Sequence, residues 1–360
     1  MTIPTENDRD IGKQFPLPAD IALTDWSSLS LADPPKVNGH VECSYDASTG
    51  KWSTPELIAS PYIQVHGLAP GLNYGQQVYE GLKAFRTAEN TLHIFRPEAH
   101  AARMRHSANM VCLPEVSNEL FLECVRLAVA SNAEFVPPAD SAGFLYLRPV
   151  LFGSGAQIAL APSNKTILAI YVIPGGAYHG TDALDALIME DFDRSAPRGT
   201  GSGKLGGNYA PAWPHQARAR QRGFGLTLHL DSETRSQIEE FSTSGFVGVE
   251  GASKTICVPD THNAIHSITS ESLTSVAKQE GWAIQHCAIP FNTLGRFSEV
   301  FAVGTAATAV PIRSILRDST GERFEFGNAV QGKEIIQKLS GIQRGTQPDE
   351  FNWRWNVYPL

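Results

Sequence analysis

Apolar residues recur along this chain at helical spacing in a few places and in short strand-length runs elsewhere. After Pro97, which suits a first helical position, Ala101, Met104, Ala108 and Val111 follow the three- and four-residue spacing of a half-buried helix. A second helix is predicted over about Asn118 to Ser131, with Phe121, Val125 and Ala128 on one side. Others are predicted near Trp213 to Arg222, Thr269 to Glu280 and Gly332 to Ser340. Strand-like runs occur at Tyr62 to Val65, Leu92 to Phe95, Gly143 to Phe152, Thr166 to Pro174 and Ala186 to Met189. They continue at Gly225 to Leu230, Gly245 to Val249, Thr255 to Val258 and Glu299 to Val303. This mixture of strands and helices predicts an α/β (α+β) protein.

The first 35 or so residues, with Pro16, Pro18, Pro34 and Pro35, read as an irregular arm that Trp26 pins to the body. Three glycines within six residues, Gly175, Gly176 and Gly180, break the pattern after the strand at Thr166. The expected division is a small domain over 36–174, a linker over 175–184 and a larger domain over 185–360. A chain of 360 residues is long enough for two such cores.

Composition narrows the functions open to such a protein. Its formal charge of −8 disfavours nucleic acid or anionic membrane partners, which need a basic face. The longest apolar stretch, TILAIYVIP, is about half the length that crosses a bilayer. Five cysteines without a C-x-x-C pair predict neither a disulfide framework nor a metal site. An N-terminus with acidic residues and no apolar core fits no secretory or transit signal, so a cytoplasmic location is expected.

One segment stands out for chemistry. In GTGSGKLGGNYA, five glycines surround Lys204, so the backbone can approach another group closely and the lysine is not there for packing. A lysine acting as a carbonyl nucleophile needs companions, and pyridoxal phosphate needs three kinds: the lysine, an acid at its ring nitrogen and donors for a phosphate. Glu240 stands where a polar turn passes into a short strand, a suitable place for a buried acid. Ile268-Thr269 opens a helix whose free N–H groups suit an anion. Gly304-Thr305-Ala306 ends a strand and offers amides and a hydroxyl, and Arg96 offers a cation.

Three blocks give these residues a family context: YGQQVYEGLKAFR…IFRPEAHAARMRHSANMVCLP, SGKLGGNY and GTAATAVPIRS. Together they resemble the branched-chain amino acid aminotransferases of pyridoxal phosphate fold type IV, with weaker similarity over roughly residues 35 to 355. The resemblance implies a smaller N-terminal α/β domain, a larger domain with a barrel-like sheet, pyridoxal 5′-phosphate as cofactor and a homodimer. It implies that Lys204 carries the cofactor as an imine and that Tyr209 bonds its phenolic oxygen. Glu240 faces the pyridine nitrogen, while Arg96, Ile268, Thr269 and Thr305 hold the phosphate. Tyr146, with the amides at Thr305 and Ala306, receives the substrate α-carboxylate, and Arg148 meets the distal carboxylate of glutamate. Tyr79, Tyr178 and a partner-derived Tyr74 wall the side-chain pocket.

The implied reaction exchanges the amino group between an L-amino acid of the leucine, isoleucine or valine type and 2-oxoglutarate. Some positions depart from the family pattern. His266, Ser267 and Ser270 replace its usual Pro, Gly and Arg, Gly245 replaces an Asn, and Gly175 stands where some members carry an aromatic. These departures support an alternative, a specialised class IV aminotransferase or lyase of a biosynthetic pathway, acting on a bulkier, aromatic or unusual amino acid or an amine.

Overall fold

The computed structural model describes residues 14–19, 26, 29, 31–32, 35–176, 182–306, 308–327 and 330–360. Two sheets organise them. The first runs in the order Arg354–Val357, Leu92–Phe95, Leu82–Arg86, Phe144–Gly153, Lys165–Gly175, His40–Asp46 and Lys51–Trp52, all antiparallel. Gln77–Tyr79 pairs with the edge of Phe144–Gly153, and Glu56–Ile58 with His40–Asp46.

Side chains alternate across this sheet and so divide it between two tasks. Leu145, Leu147 and Leu151, with Leu82 and Ala84, join a core that includes Ala101, Met104, Phe121 and Val125 of the helices Pro97–Met110 and Asn118–Ala130. Tyr146, Arg148 and Val150 alternate with those leucines and line a cavity between the sheets.

The second sheet closes on itself. Strands Ile238–Phe241, Leu226–Leu230, Leu184–Met189, Thr308–Leu316, Glu299–Gly304 and Ser244–Glu250 follow in order, and the last pairs back with the first. Phe241, Phe246, Leu228 and Ile188 fill a core of this barrel. Thr255–Pro259 and Ala283–Cys287 extend the sheet beyond the closure. Helices Ile268–Gln279 and Gln331–Arg344 lie against it and share a core with Phe85, Phe95, Phe144 and Tyr146 of the first sheet, which binds the two halves together.

The helices begin and end within a few residues of their predicted limits, and so do most strands. Tyr62 to Val65 is not a strand: it follows Pro61, finds no partner strand, and Tyr62 is exposed. The strands at His40, Leu82, Ile238 and Thr308 were not predicted, because they carry charged residues such as Glu42, Lys83, Glu240 and Arg313 within a sheet. The chain's end also departs from the expected division. Arg354–Val357 pairs with Leu92–Phe95 and so belongs to the first sheet rather than to the domain over 185–360. Leu31 of the predicted arm lies at the cavity, and Phe15 is buried in the first core. Among the described residues no helix is long and apolar enough to cross a membrane.

The helix Gln331–Arg344 has an unusual cap. Glu299, at the start of a barrel strand, accepts from the backbone N–H groups of Val330, Gln331 and Gly332, each at 2.9 Å. A carboxylate there satisfies donors the helix cannot satisfy itself and opposes its dipole. Replacing Glu299 with Ala is expected to cost about 2 kcal/mol, and with Gln roughly half as much, in urea unfolding of the cofactor-free protein.

Candidate active site

Lys204 sits at a junction of local constraints. Its backbone N–H donates to Ser107 Oγ at 2.9 Å, and its carbonyl accepts from the Tyr79 N–H at 3.1 Å, so both the Pro97–Met110 helix and the strand edge fix the loop. The glycines allow that approach: a Cβ at Gly206 would come within 2.0 Å of Gln77 Oε1. The ammonium then donates to the Tyr209 hydroxyl at 3.1 Å and lies 4.4 Å from the Tyr79 ring centroid. Tyr79 and Tyr209 meet edge to face, 5.2 Å apart. Burial works to raise the Tyr209 hydroxyl, but Lys204, the hydrogen bond with Tyr79 and Arg194 outweigh it and hold its pKa below the ordinary value.

Glu240 lines the same cavity from the barrel wall. Its Oε1 is 3.6 Å from an Arg194 terminal nitrogen, too far for a hydrogen bond, and has no hydrogen-bond partner among the described residues. Arg194 Nε is likewise buried and unpartnered. Burial pushes the Glu240 carboxyl up to about 7, with Glu239 adding to the rise and Arg194 opposing it. Glu239 itself is fully engaged: it accepts from Ser195 Oγ at 2.5 Å and from Asn263 Nδ2 at 2.7 Å.

The whole cavity, about 970 Å³ in volume, lies between the two sheets. Ile268, Thr269, Thr305 and Ala306 line it from the barrel side, and Tyr79, Tyr146 and Arg148 from the first sheet. Arg148 Nε donates to the Glu80 carbonyl at 3.1 Å, and its guanidinium lies 4.9 Å over the Tyr79 ring. Gly81 packs tightly here, since a Cβ on it would lie 1.9 Å from the Tyr146 hydroxyl.

Other expected site residues lie elsewhere. Arg96 does not line the cavity. It donates to Glu271 at 2.8 Å, Ser272 Oγ at 2.8 Å and the Ile268 carbonyl at 3.3 Å, so its charge is spent behind the helix start. Tyr74 is exposed outside this chain's cavity, its hydroxyl donating to the Ile158 carbonyl at 2.7 Å. Tyr178 lies outside the described residues.

Arg103, within the Pro97–Met110 helix, does line the cavity. Glu80 grips it through both oxygens, at 2.7 and 2.8 Å, and its third nitrogen donates to the His266 carbonyl at 2.8 Å. His100 Nδ1 donates to the same carboxylate at 2.7 Å. Although burial resists, Arg103 and His100 hold the Glu80 carboxyl well below the usual range. Sequence reading missed Arg103 and Arg194. A clue to Arg103 was available, because His100, Arg103 and Ser107 share helical spacing with the apolar stripe. Arg194 is marked by no comparable pattern.

Residues 77–315 match the family described as amino-transferase class IV. The chain belongs to that family. Aminotransferase poxL of Penicillium oxalicum is 47% identical over 348 residues, covering 95% of each chain. Transaminase AMT5 of Alternaria alternata is 45% identical over 356 residues, covering 95% of this chain and 94% of its own. Among solved structures, the fold resembles the branched-chain amino acid aminotransferase of Escherichia coli with a TM-score of 0.74 at 24% identity, over 89% of this chain and 100% of that one. The branched-chain aminotransferase of Thermoproteus uzoniensis with norvaline matches with a TM-score of 0.72 at 25% identity, over 88% of this chain and 100% of its own.

Class IV aminotransferases use pyridoxal 5′-phosphate, and the residues present fit that group. The unpartnered Glu240 oxygen suits a protonated ring nitrogen, and the helix start at Ile268 suits a phosphate. The Glu240 environment gives a pH signature in the cofactor-free protein. Unfolded, the carboxyl ionises near 4.5; folded, it keeps its proton up to about 7. The folded state therefore binds more protons in that window, and stability falls as pH rises through it. Urea titrations from pH 4 to 8 are expected to show this decline, and Glu240→Gln to flatten it. Arg194→Gln removes the opposing charge and is expected to extend the decline to higher pH.

Proposed function

We propose that this aminotransferase moves the amino group between an L-amino acid and 2-oxoglutarate. The observation that carries the reading is the Lys204 ammonium, hydrogen-bonded to Tyr209 and sharing one cavity with Glu240, whose Oε1 has no hydrogen-bond partner among the described residues. Pyridoxal phosphate, when bound, supplies an electron-accepting ring that weakens the bonds at the substrate Cα. Glu240 holds the ring nitrogen's proton, and Tyr209 donates to the phenolic oxygen. The Ile268 and Thr269 amides, the Thr305 hydroxyl and Arg103 bind the phosphate, with Arg103 in the part expected of Arg96. Lys204 takes the proton from the substrate Cα and returns it on the other side of the exchange.

Tyr146 and the turn at Thr305–Ala306 receive the α-carboxylate. Arg148, on the same face of the strand as Tyr146, meets a distal carboxylate, which makes glutamate and 2-oxoglutarate suitable as one substrate couple. Tyr79 walls the side-chain pocket. A homodimer completes the reading: Leu72, Tyr74, Ile158 and Leu160 form an exposed apolar area that a second copy covers.

A second reading of the substrate side chain rests on Gly175. A Cβ at this position would lie 2.5 Å from a Leu31 methyl, so a larger residue and Leu31 exclude each other here. The pocket is then bounded by a leucine from the arm in place of an aromatic at 175, a different wall from the one the family resemblance implies and the basis for reading a different substrate side chain.

Lys204→Ala is expected to abolish turnover while the protein stays folded, and activity persisting without added amine overturns the assignment. Arg148→Gln is expected to raise KM for glutamate and 2-oxoglutarate about tenfold or more while affecting monocarboxylate donors less. A panel of leucine, isoleucine, valine, aromatic and longer-chain donors separates the two pocket readings. Efficient turnover of the three branched-chain substrates favours the first, and preference for larger donors favours the second.

A further inference from the structure

Lys83 is buried on the cavity side of the first sheet, and among the described residues no carboxylate lies within ion-pair distance of it. Its neighbours Leu82 and Ala84 point into the helical core, while Lys83 pairs in register with Tyr146 and shares its face. The ammonium lies 4.0 Å from the Phe144 ring centroid and donates to Thr308 Oγ1 at 3.2 Å. That bond crosses from the first sheet to the barrel.

Its acceptor occupies a costly conformation. Gly304 and Thr308 face each other across a hairpin whose loop residues Thr305 and Ala306 line the cavity. Thr308 has φ of +62°, the left-handed region that a β-branched residue strongly disfavours. Something must hold it there. The pairing with Gly304 and the Lys83 hydrogen bond both act on it, the latter at the further cost of burying an amine, which burial and Arg344 together bring down to about 7.

We propose that Lys83 is a positioning residue for the substrate carboxylate, fixing the Thr305–Ala306 turn through Thr308. The role rests on the functional reading above, in which that turn receives the α-carboxylate. Lys83 acts on binding and takes no part in the proton transfer at Lys204.

Steady-state kinetics on the cofactor-loaded enzyme test this with Lys83→Met, Lys83→Arg, Thr308→Val and the double variant Lys83→Met/Thr308→Val. Each of Lys83→Met and Thr308→Val is expected to raise KM for amino acid and oxo acid about fivefold, with kcat changed less than about twofold. The double variant is expected to match the larger single effect, because both remove one interaction. Lys83→Arg is expected to restore part of the loss. Cofactor affinity, followed by absorbance titration, is expected to stay at the wild-type value. If Lys83→Met does not fold, Thr308→Val carries the same test, since it removes only the hydrogen bond. Unchanged KM in Thr308→Val, or effects that add in the double variant, overturns the role of Lys83 in an otherwise active enzyme. A wild type that transaminates no donor overturns the functional reading, and this inference with it.

Discussion

Glu240 is held in a barrel strand paired on both sides, to Leu226–Leu230 and to Ser244–Glu250, so its carboxylate cannot swing out to water. Burial without a hydrogen-bond partner for Oε1 disfavours the ionised form, and Arg194 at 3.6 Å offsets this only in part. The closed sheet thus keeps a carboxylate in a condition that a proton-bearing nitrogen relieves. The other features of the site are useful because this one is fixed: Lys204 and Tyr209 are set across the same cavity by the glycine loop. An open sheet edge at Ile238–Phe241 leaves the acid free to hydrate and lowers its carboxyl toward the ordinary range.

Glu80 shows that partners, rather than burial, decide the outcome. It is fully buried too, yet Arg103 and His100 hold its carboxyl well below the usual range. Its hydrogen bonds are used internally and aim Arg103 at the cavity beside the Ile268 helix start. The site therefore uses two buried acids in opposite ways, one saturated to orient a cation and one left open for a ligand. Placement, not pairing, separates the two arginines. Each is ion-paired, Arg96 with Glu271 and Arg103 with Glu80, but Arg96 fastens the two halves while Arg103 lines the cavity.

Much of this was legible in the sequence, for identifiable reasons. Helical stripes appear wherever one face is buried, and the Pro97 and Asn118 helices follow them closely. Lys204 and Glu240 stood in segments whose glycines or polar-to-apolar transitions are local, so the residues themselves carried information about them, whereas Tyr209 was named through the family resemblance. Arg103 and Arg194 act through residues far away in sequence: Arg103 depends on Glu80, and Arg194 on Glu240. No window of local sequence contains those pairings. Strands such as Leu82–Arg86 were hidden for a related reason, since Lys83 and Arg86 are charged in sequence yet buried through long-range contacts with Thr308, Val136 and Ala133.

The departures from the family pattern are also coupled in space. A Cβ at Gly245 would come within 3.0 Å of Ser270 Oγ and 3.3 Å of Ser267 Cβ, so the three positions share one small volume. Losing the side chain at 245 makes room for two hydroxyls, and these are used: Ser267 Oγ accepts from the Ser270 amide at 3.1 Å and from its hydroxyl at 2.9 Å. Ser267 thereby caps the helix and takes up one of its free N–H groups, leaving those of Ile268 and Thr269 toward the cavity. Gly175 and Leu31 are matched in the same manner, one small because the other is present. Such matched sets keep the packing beside the cavity intact at the very positions that depart from the family pattern, because each lost side chain is met by a neighbour that fills its space.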